Sequence, residues 1–188
     1  MKIINNQSTY LLEELKTIIS AESEIFVSCN YFTSFALFEL LESFAKSKTV
    51  KILLDANQES IDGFTLIQSE TEQKLNLNLD RKFKINQVIS LIQDKIEIRK
   101  GGLGNQNVII IKNTDETHCF FITPLNVDSV SLGNIRADKP ILITAINDEG
   151  GQYLNLIETA WNSSSQKLND TVINSLNKGV KNYSGEAL

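Results

Sequence analysis

Several things that define other protein classes are scarce in this sequence: it has two cysteines, one histidine, two prolines and one tryptophan in 188 residues. Two cysteines do not make a secreted disulfide scaffold, which carries several pairs at this size. Cys29 and Cys119 lie inside the apolar runs Ile25-Phe26-Val27-Ser28-Cys29 and Cys119-Phe120-Phe121-Ile122, the setting of small buried hydrophobes. With a single histidine and no Cys-x-x-Cys, a zinc site is not expected, nor any other metal or cofactor. No apolar run approaches the roughly 20 residues a membrane helix needs. The start, Met1 to Asn6, turns polar too early for a signal peptide. A cytoplasmic protein without a membrane partner is expected. Positive charge is also short: 18 Lys and Arg face 23 Asp and Glu, a net charge of −5. Non-specific grip on nucleic acid comes mostly from phosphate neutralisation, so this balance weighs against a protein that holds DNA unaided.

What is present is ordinary globular usage, with 41% hydrophobic and 22% charged residues. At 21.1 kDa the chain can bury a proper core. No repeat, linker or low-complexity segment divides it. A single domain over 1–188 is expected, with a frayed tail at about 182–188.

Hydrophobic periodicity supplies the elements. Ser8 to Ile19 has leucines and isoleucines at helical spacing, with Ser8 and a following glutamate as a start signal. Glu24–Cys29 is a short apolar run and reads as a buried strand. Ser34–Lys46 returns to the helical period, and Val50–Asp55 is another buried strand. Strands so spaced around a helix imply a parallel pair with a right-handed crossover. From Phe64 to Asp94 there is no proline or glycine, which predicts one long helix or two with a break near 76–79. Lys95–Arg99 alternates as a strand, and Gly101-Gly102-Leu103-Gly104 is a turn. It lacks the lysine and hydroxyl of a phosphate loop and precedes a strand rather than a helix. Val108–Lys112 and His118–Thr123 are strands around the hairpin loop Asn113–Glu116. Leu125–Asn134 is a loop or short helix, Pro140–Asn147 a strand, and Tyr153–Trp161 and Lys167–Asn177 closing helices.

The order of these elements resembles the phospholipase D-like domains, especially those fused to bacterial helicases and restriction enzymes. In them a leading helix precedes a strand ending in a Tyr-Phe pair, as in Val27-Ser28-Cys29-Asn30-Tyr31-Phe32 here. The family's Asn-Leu-Thr-like turn resembles Asn126 to Leu132, and its closing helix ending in Leu-Trp resembles Leu156 to Trp161. The resemblance covers nearly the whole chain. It implies an α/β fold with a mixed β-sheet flanked by helices on both faces.

The family's active site is a His-x-Lys at the start of a strand, then a Gly-Ser-x-Asn turn after the next one. One histidine attacks phosphorus, a second protonates the leaving oxygen, and the lysine holds the oxygens as charge builds. By this resemblance Asn105 stands at the histidine position and Asn107 at the lysine position. Pro124 replaces the serine of the turn, and only Asn126 is kept. An amide neither titrates near neutral pH nor attacks phosphate usefully. Lys100, Lys112, Arg136 and Lys139 fall around the former site's rim, where they would contact phosphate or DNA without cutting it. Asp128 and Ser129 mark the surviving pocket edge.

The expected function is therefore a catalytically inactive binding or dimerisation module in a DNA-processing system, helicase or restriction type, acting as a homodimer or with a partner protein. The alternative is a divergent, metal-independent nuclease or phosphodiesterase using His118 across a homodimer interface. Against it, His118 lies one strand later than the family histidine, where a strand-edge histidine without catalytic duty is the plain reading. Arg81-Lys82-Phe83-Lys84, the densest basic cluster, reads as a solvated helix face. Phe120, Phe121 and Trp161 read as core.

Overall fold

The computed structural model describes residues 1–5, 10–30, 32–55, 81–104, 106–122, 127–133 and 142–183. Along these the order is β1 (Lys2–Asn5), α1 (Leu11–Ile18), β2 (Glu24–Cys29), α2 (Ser34–Glu39), α3 (Leu41–Lys46) and β3 (Thr49–Leu54). There follow α4 (Arg81–Asp94), β4 (Ile96–Lys100), β5 (Val108–Lys112), β6 (Thr117–Phe121), α5 (Ser129–Leu132), β7 (Leu142–Asn147), α6 (Gln152–Ser163) and α7 (Asn169–Tyr183).

The described strands form one seven-stranded mixed sheet in the order β1-β7-β6-β5-β2-β3-β4. β2, β3 and β4 run parallel, as crossover connections require. β5 returns antiparallel to β2, and β6, β7 and β1 continue antiparallel. β5 reads Val-Ile-Ile-Ile, and all four residues are buried, because this strand is covered on both faces.

Alternation sorts the side chains into two layers. On the first face Ile25, Val27, Ile52, Ile98, Ile109 and Phe120 meet the apolar stripes of α1, α2, α3, α4 and α7. On the second face Phe26, Leu53, Val108, Ile110 and Cys119 pack under Ile157 and Trp161 of α6. The fold is thus α/β, a mixed sheet with helices on both faces. Each fully buried side chain of this size contributes on the order of 1.5–3 kcal/mol.

The elements differ from the sequence expectations at particular points. β1 was not anticipated, since Lys2-Ile3-Ile4-Asn5 has no turn signal and pairs only with β7, about 140 residues on. α1 starts at Leu11 behind Tyr10, with no side-chain cap, and Ser8 lies outside the described residues. The segment 34–46 is two short helices meeting at Leu40, whose backbone (φ −91°, ψ 1°) leaves the helical region. Of the expected 64–94 helix, only 81–94 is described, as α4, and the side chains of 81–84 are not among the described ones. The last two helices extend further than expected, to Ser163 and Tyr183. Among the described residues, no helix is long and apolar enough to cross a membrane.

Candidate functional site

In an open α/β sheet the crevice outside the carboxyl ends of the parallel strands is where ligands bind. Here that end is built by the exit of β2, the entry of β5 and the turn before α5. β2 ends at Cys29, and the next backbone N–H, that of Asn30, donates to Asn107 Oδ1 at 2.9 Å. Asn107 is only 3% exposed, and its own carbonyl accepts from Ile122 N–H at 2.8 Å. The side chain therefore ties β2 to β5, while its backbone ties β5 to the exit of β6.

The neighbouring turn is fastened to the same place. Thr33 N–H donates to Val127 O at 3.0 Å, and Phe32 bridges Val127 in parallel register. Thr33 then caps α2 by accepting from Ala36 N–H. Asp128 starts α5: its Oδ1 accepts from Ser131 N–H at 2.9 Å, and Ser131 Oγ accepts in return from Asp128 N–H. A carboxylate used as a cap is poorly placed for acid–base work.

Gly101 to Gly104 closes the far wall. Gly101 has φ +151°, and a side chain there would meet Ser164 Oγ at 2.5 Å. Leu103 N–H donates to Ser28 Oγ at 2.9 Å, which holds the loop down on β2. The glycines thus serve a tight turn, as the sequence suggested.

The structure brings together some of the residues singled out from sequence and separates others. Asn107 and Asp128 lie at this end of the sheet. Lys100, exposed at the end of β4, shares the end but stands two strands from β2, about 10 Å away. Lys112 does not belong to the rim. It is the last residue of β5, paired in register with Glu24 at the opposite end, and lies 3.8 Å from Glu24 and 3.6 Å from Glu158. The reason is direction: β5 runs antiparallel to β2, so its carboxyl end points away from the crevice. Ser129 is the first residue of α5, its side chain outside the described residues. Asn105, Asn126, Arg136 and Lys139 lie outside the described residues altogether.

His118 is also at the opposite end. It pairs with Ile111 on one side and Asn147 on the other, so it sits on an interior strand rather than a sheet edge. Along β5 it is four residues from Asn107, about 13 Å. Its side chain is 15% exposed, and Glu116 Oε1 lies 2.9 Å from Nε2, off the direction a hydrogen bond needs. Glu14 and Glu149 line the same cleft. A carboxylate-rich setting repels phosphate.

Both cysteines are free and buried. Burial pushes the Cys119 thiol up to about 12, with the charge of Asp148 adding to it, and burial raises Cys29 further. Neither is a nucleophile at neutral pH. Among the described residues no group of His, Cys, Asp and Glu could hold a metal ion. Asn30 and Thr33 were not singled out from sequence, although their place just past a buried strand marked them as crevice residues.

No protein-family model matches the chain, and no curated protein is significantly similar to it.

Proposed function

We propose that the chain is a catalytically inactive phospholipase D-like domain, working by binding or dimerisation within a DNA-processing system of the helicase or restriction type. The observation that carries this reading is Asn107. At the position where the resemblance calls for a phosphate-binding lysine, a buried carboxamide accepts the Asn30 backbone N–H. A lysine there would hold the non-bridging oxygens of a phosphate. The amide instead joins two strands. The order of elements and the α/β sheet with helices on both faces support the family reading, and the polar end of that sheet is where a nucleic-acid backbone or a partner chain would sit.

The test is a nuclease assay on single- and double-stranded DNA, with and without EDTA, on the wild type and His118→Ala. The expected result is no cleavage by either protein, together with DNA binding or a stable assembly in gel shift and light scattering. Cleavage that survives EDTA and disappears in His118→Ala would overturn the proposal. It would point to a metal-free histidine mechanism.

A further inference from the structure

At the end of the sheet opposite the crevice, register sets five first-face side chains side by side. Phe120 on β6 pairs with Ala145 on β7, and Ala145 with Lys2 on β1. One step along, His118 pairs with Asn147. Phe120 and Ala145 belong to the first-face core, and His118 and Asn147, each two residues away, share that face. Lys2 is ion-paired with Glu14 of α1, which ties the helix to β1 and neutralises both groups. Between helix and sheet lies a cleft of about 630 Å³, within the roughly 300–1,000 Å³ of small-molecule sites. Phe120, Ala145 and Ile18 give it an apolar interior, while the exposed Asn147 and Glu149 stand at its mouth. His118 is the unsatisfied group in this cleft. Its Nε2 is shielded from solvent and makes no hydrogen bond, with Glu116 Oε1 2.9 Å away but off the line of one. A buried polar atom left so is destabilising, and Glu116, 54% exposed, is free to turn aside. Glu116 and Glu149 border one adjoining hollow. There Lys112 is engaged by Glu24 and Glu158, and Asp148 accepts the N–H groups of Gln152 and Leu154. Glu116 and Glu149 are left without a Lys or Arg partner among the described residues.

We infer that this cleft binds a small organic cation, a primary ammonium carried on an apolar body. The body lies over Phe120, Ala145 and Ile18, and the ammonium sits beside His118, between Glu116 and Glu149. Three features select that chemistry. An ammonium has three donors and no acceptor, so one group serves the imidazole nitrogen and both carboxylates. An anion is repelled by the same carboxylates. A neutral polar ligand would lose its hydration over the apolar interior with little in return. A metal ion is a poorer fit, since no group of His, Cys, Asp and Glu among the described residues could hold one. The crevice residues take no part, so failure of the DNA-processing proposal leaves this site untouched, and the reverse.

The probe is benzylamine, with benzyl alcohol and benzoate as neutral and anionic controls of similar shape. Each is titrated into the full chain and followed by the amide resonances and the His118 ring nitrogens in NMR. Benzylamine should give saturable shifts at His118, Ala145 and Asn147, with a dissociation constant on the order of 1 mM. Benzyl alcohol should bind the same place about tenfold more weakly, and benzoate should shift nothing there. In Glu116→Gln/Glu149→Gln, two exposed positions whose change leaves the core alone, benzylamine should fall to the affinity of the alcohol. The alcohol itself should be unaffected by the double substitution. No saturable shift up to the solubility limit of the amine would overturn the inference. So would equal binding of all three probes, or an amine affinity unchanged in the double variant, since either result removes charge from the recognition.

Discussion

Asn107 Oδ1 accepts the backbone N–H of Asn30 across 77 residues of sequence, at 2.9 Å. One amide therefore does structural work, tying the exit of β2 to the start of β5. Asn107→Ala removes that acceptor from a buried donor and should cost about 1–3 kcal/mol. In urea unfolding the midpoint falls while the slope stays the same. Asn107→Lys should be at least as destabilising, because it buries a charge without a partner, and should produce no DNA cleavage. A stable Asn107→Lys protein that nicks plasmid DNA would refute the structural role.

A second amide fastens the closing helix. Asn169 Oδ1 accepts from Ile98 N–H at 2.9 Å, and its Nδ2 donates to Ile96 O at 2.7 Å. It thus satisfies two of the backbone groups on the outer edge of β4 at the point where α7 begins, while Leu168 N–H and Gln166 O take Ile98 O and Lys100 N–H. Asn169→Ala is expected to lose about 1–3 kcal/mol and to speed hydrogen exchange at the Ile98 amide. Unchanged exchange at Ile98 would show that the helix is held by its apolar contacts alone.

The thiols give a third prediction. Cys29 and Cys119 are buried, and their pKa values are raised by burial, which for Cys119 reaches about 12. Native protein should therefore show no reaction with a disulfide reagent at pH 8 on the time scale on which both thiols react in denaturant. One thiol reacting at once in the native state would mean that β2 or β6 opens locally.

Much of the fold was legible because its signals are local. Val108-Ile109-Ile110-Ile111 can be little else than a doubly covered strand, and Asn113 to Glu116 is a plain hairpin loop whose ends meet as Asn113 N–H donates to Glu116 O. The buried cysteines followed from their apolar neighbours. What failed was long-range. β1 exists only because β7 lies beside it, and four residues hold no periodicity of their own. The site was legible in part. Asn107 was singled out for what it lacks, a charge, but its bond to Asn30 depends on two strands meeting that sequence spacing does not bring together. Lys112 was placed at the wrong end of its strand because a one-dimensional alignment does not give strand direction.

Arg99 leads to the last prediction. Its guanidinium stacks 4.2 Å above the centre of the Trp161 ring and donates to Trp161 O and Ser164 O at the end of α6, where a cation also favours the helix dipole. Glu97 holds it from the other side, accepting from Arg99 Nε at 2.8 Å, with Lys167 at 3.5 Å. Partial burial works against the Glu97 carboxylate, but the Arg99 hydrogen bond, the Arg99 charge and Lys167 outweigh it and hold its pKa below the usual value. A carboxyl depressed in the folded state stabilises fully above its unfolded pKa, near 4.3, and loses that contribution as pH falls through the folded value. Glu97 is about one-third exposed, so solvent screening should keep the contribution below about 1 kcal/mol. The wild type should therefore exceed Glu97→Gln in stability by a small constant margin from pH 5 to 7, and the two curves should converge on acidification below pH 4. Curves that stay parallel through the acid limb would mean that the Glu97 carboxylate's charge contributes nothing, and that Arg99 is held by Trp161 and the helix carbonyls alone.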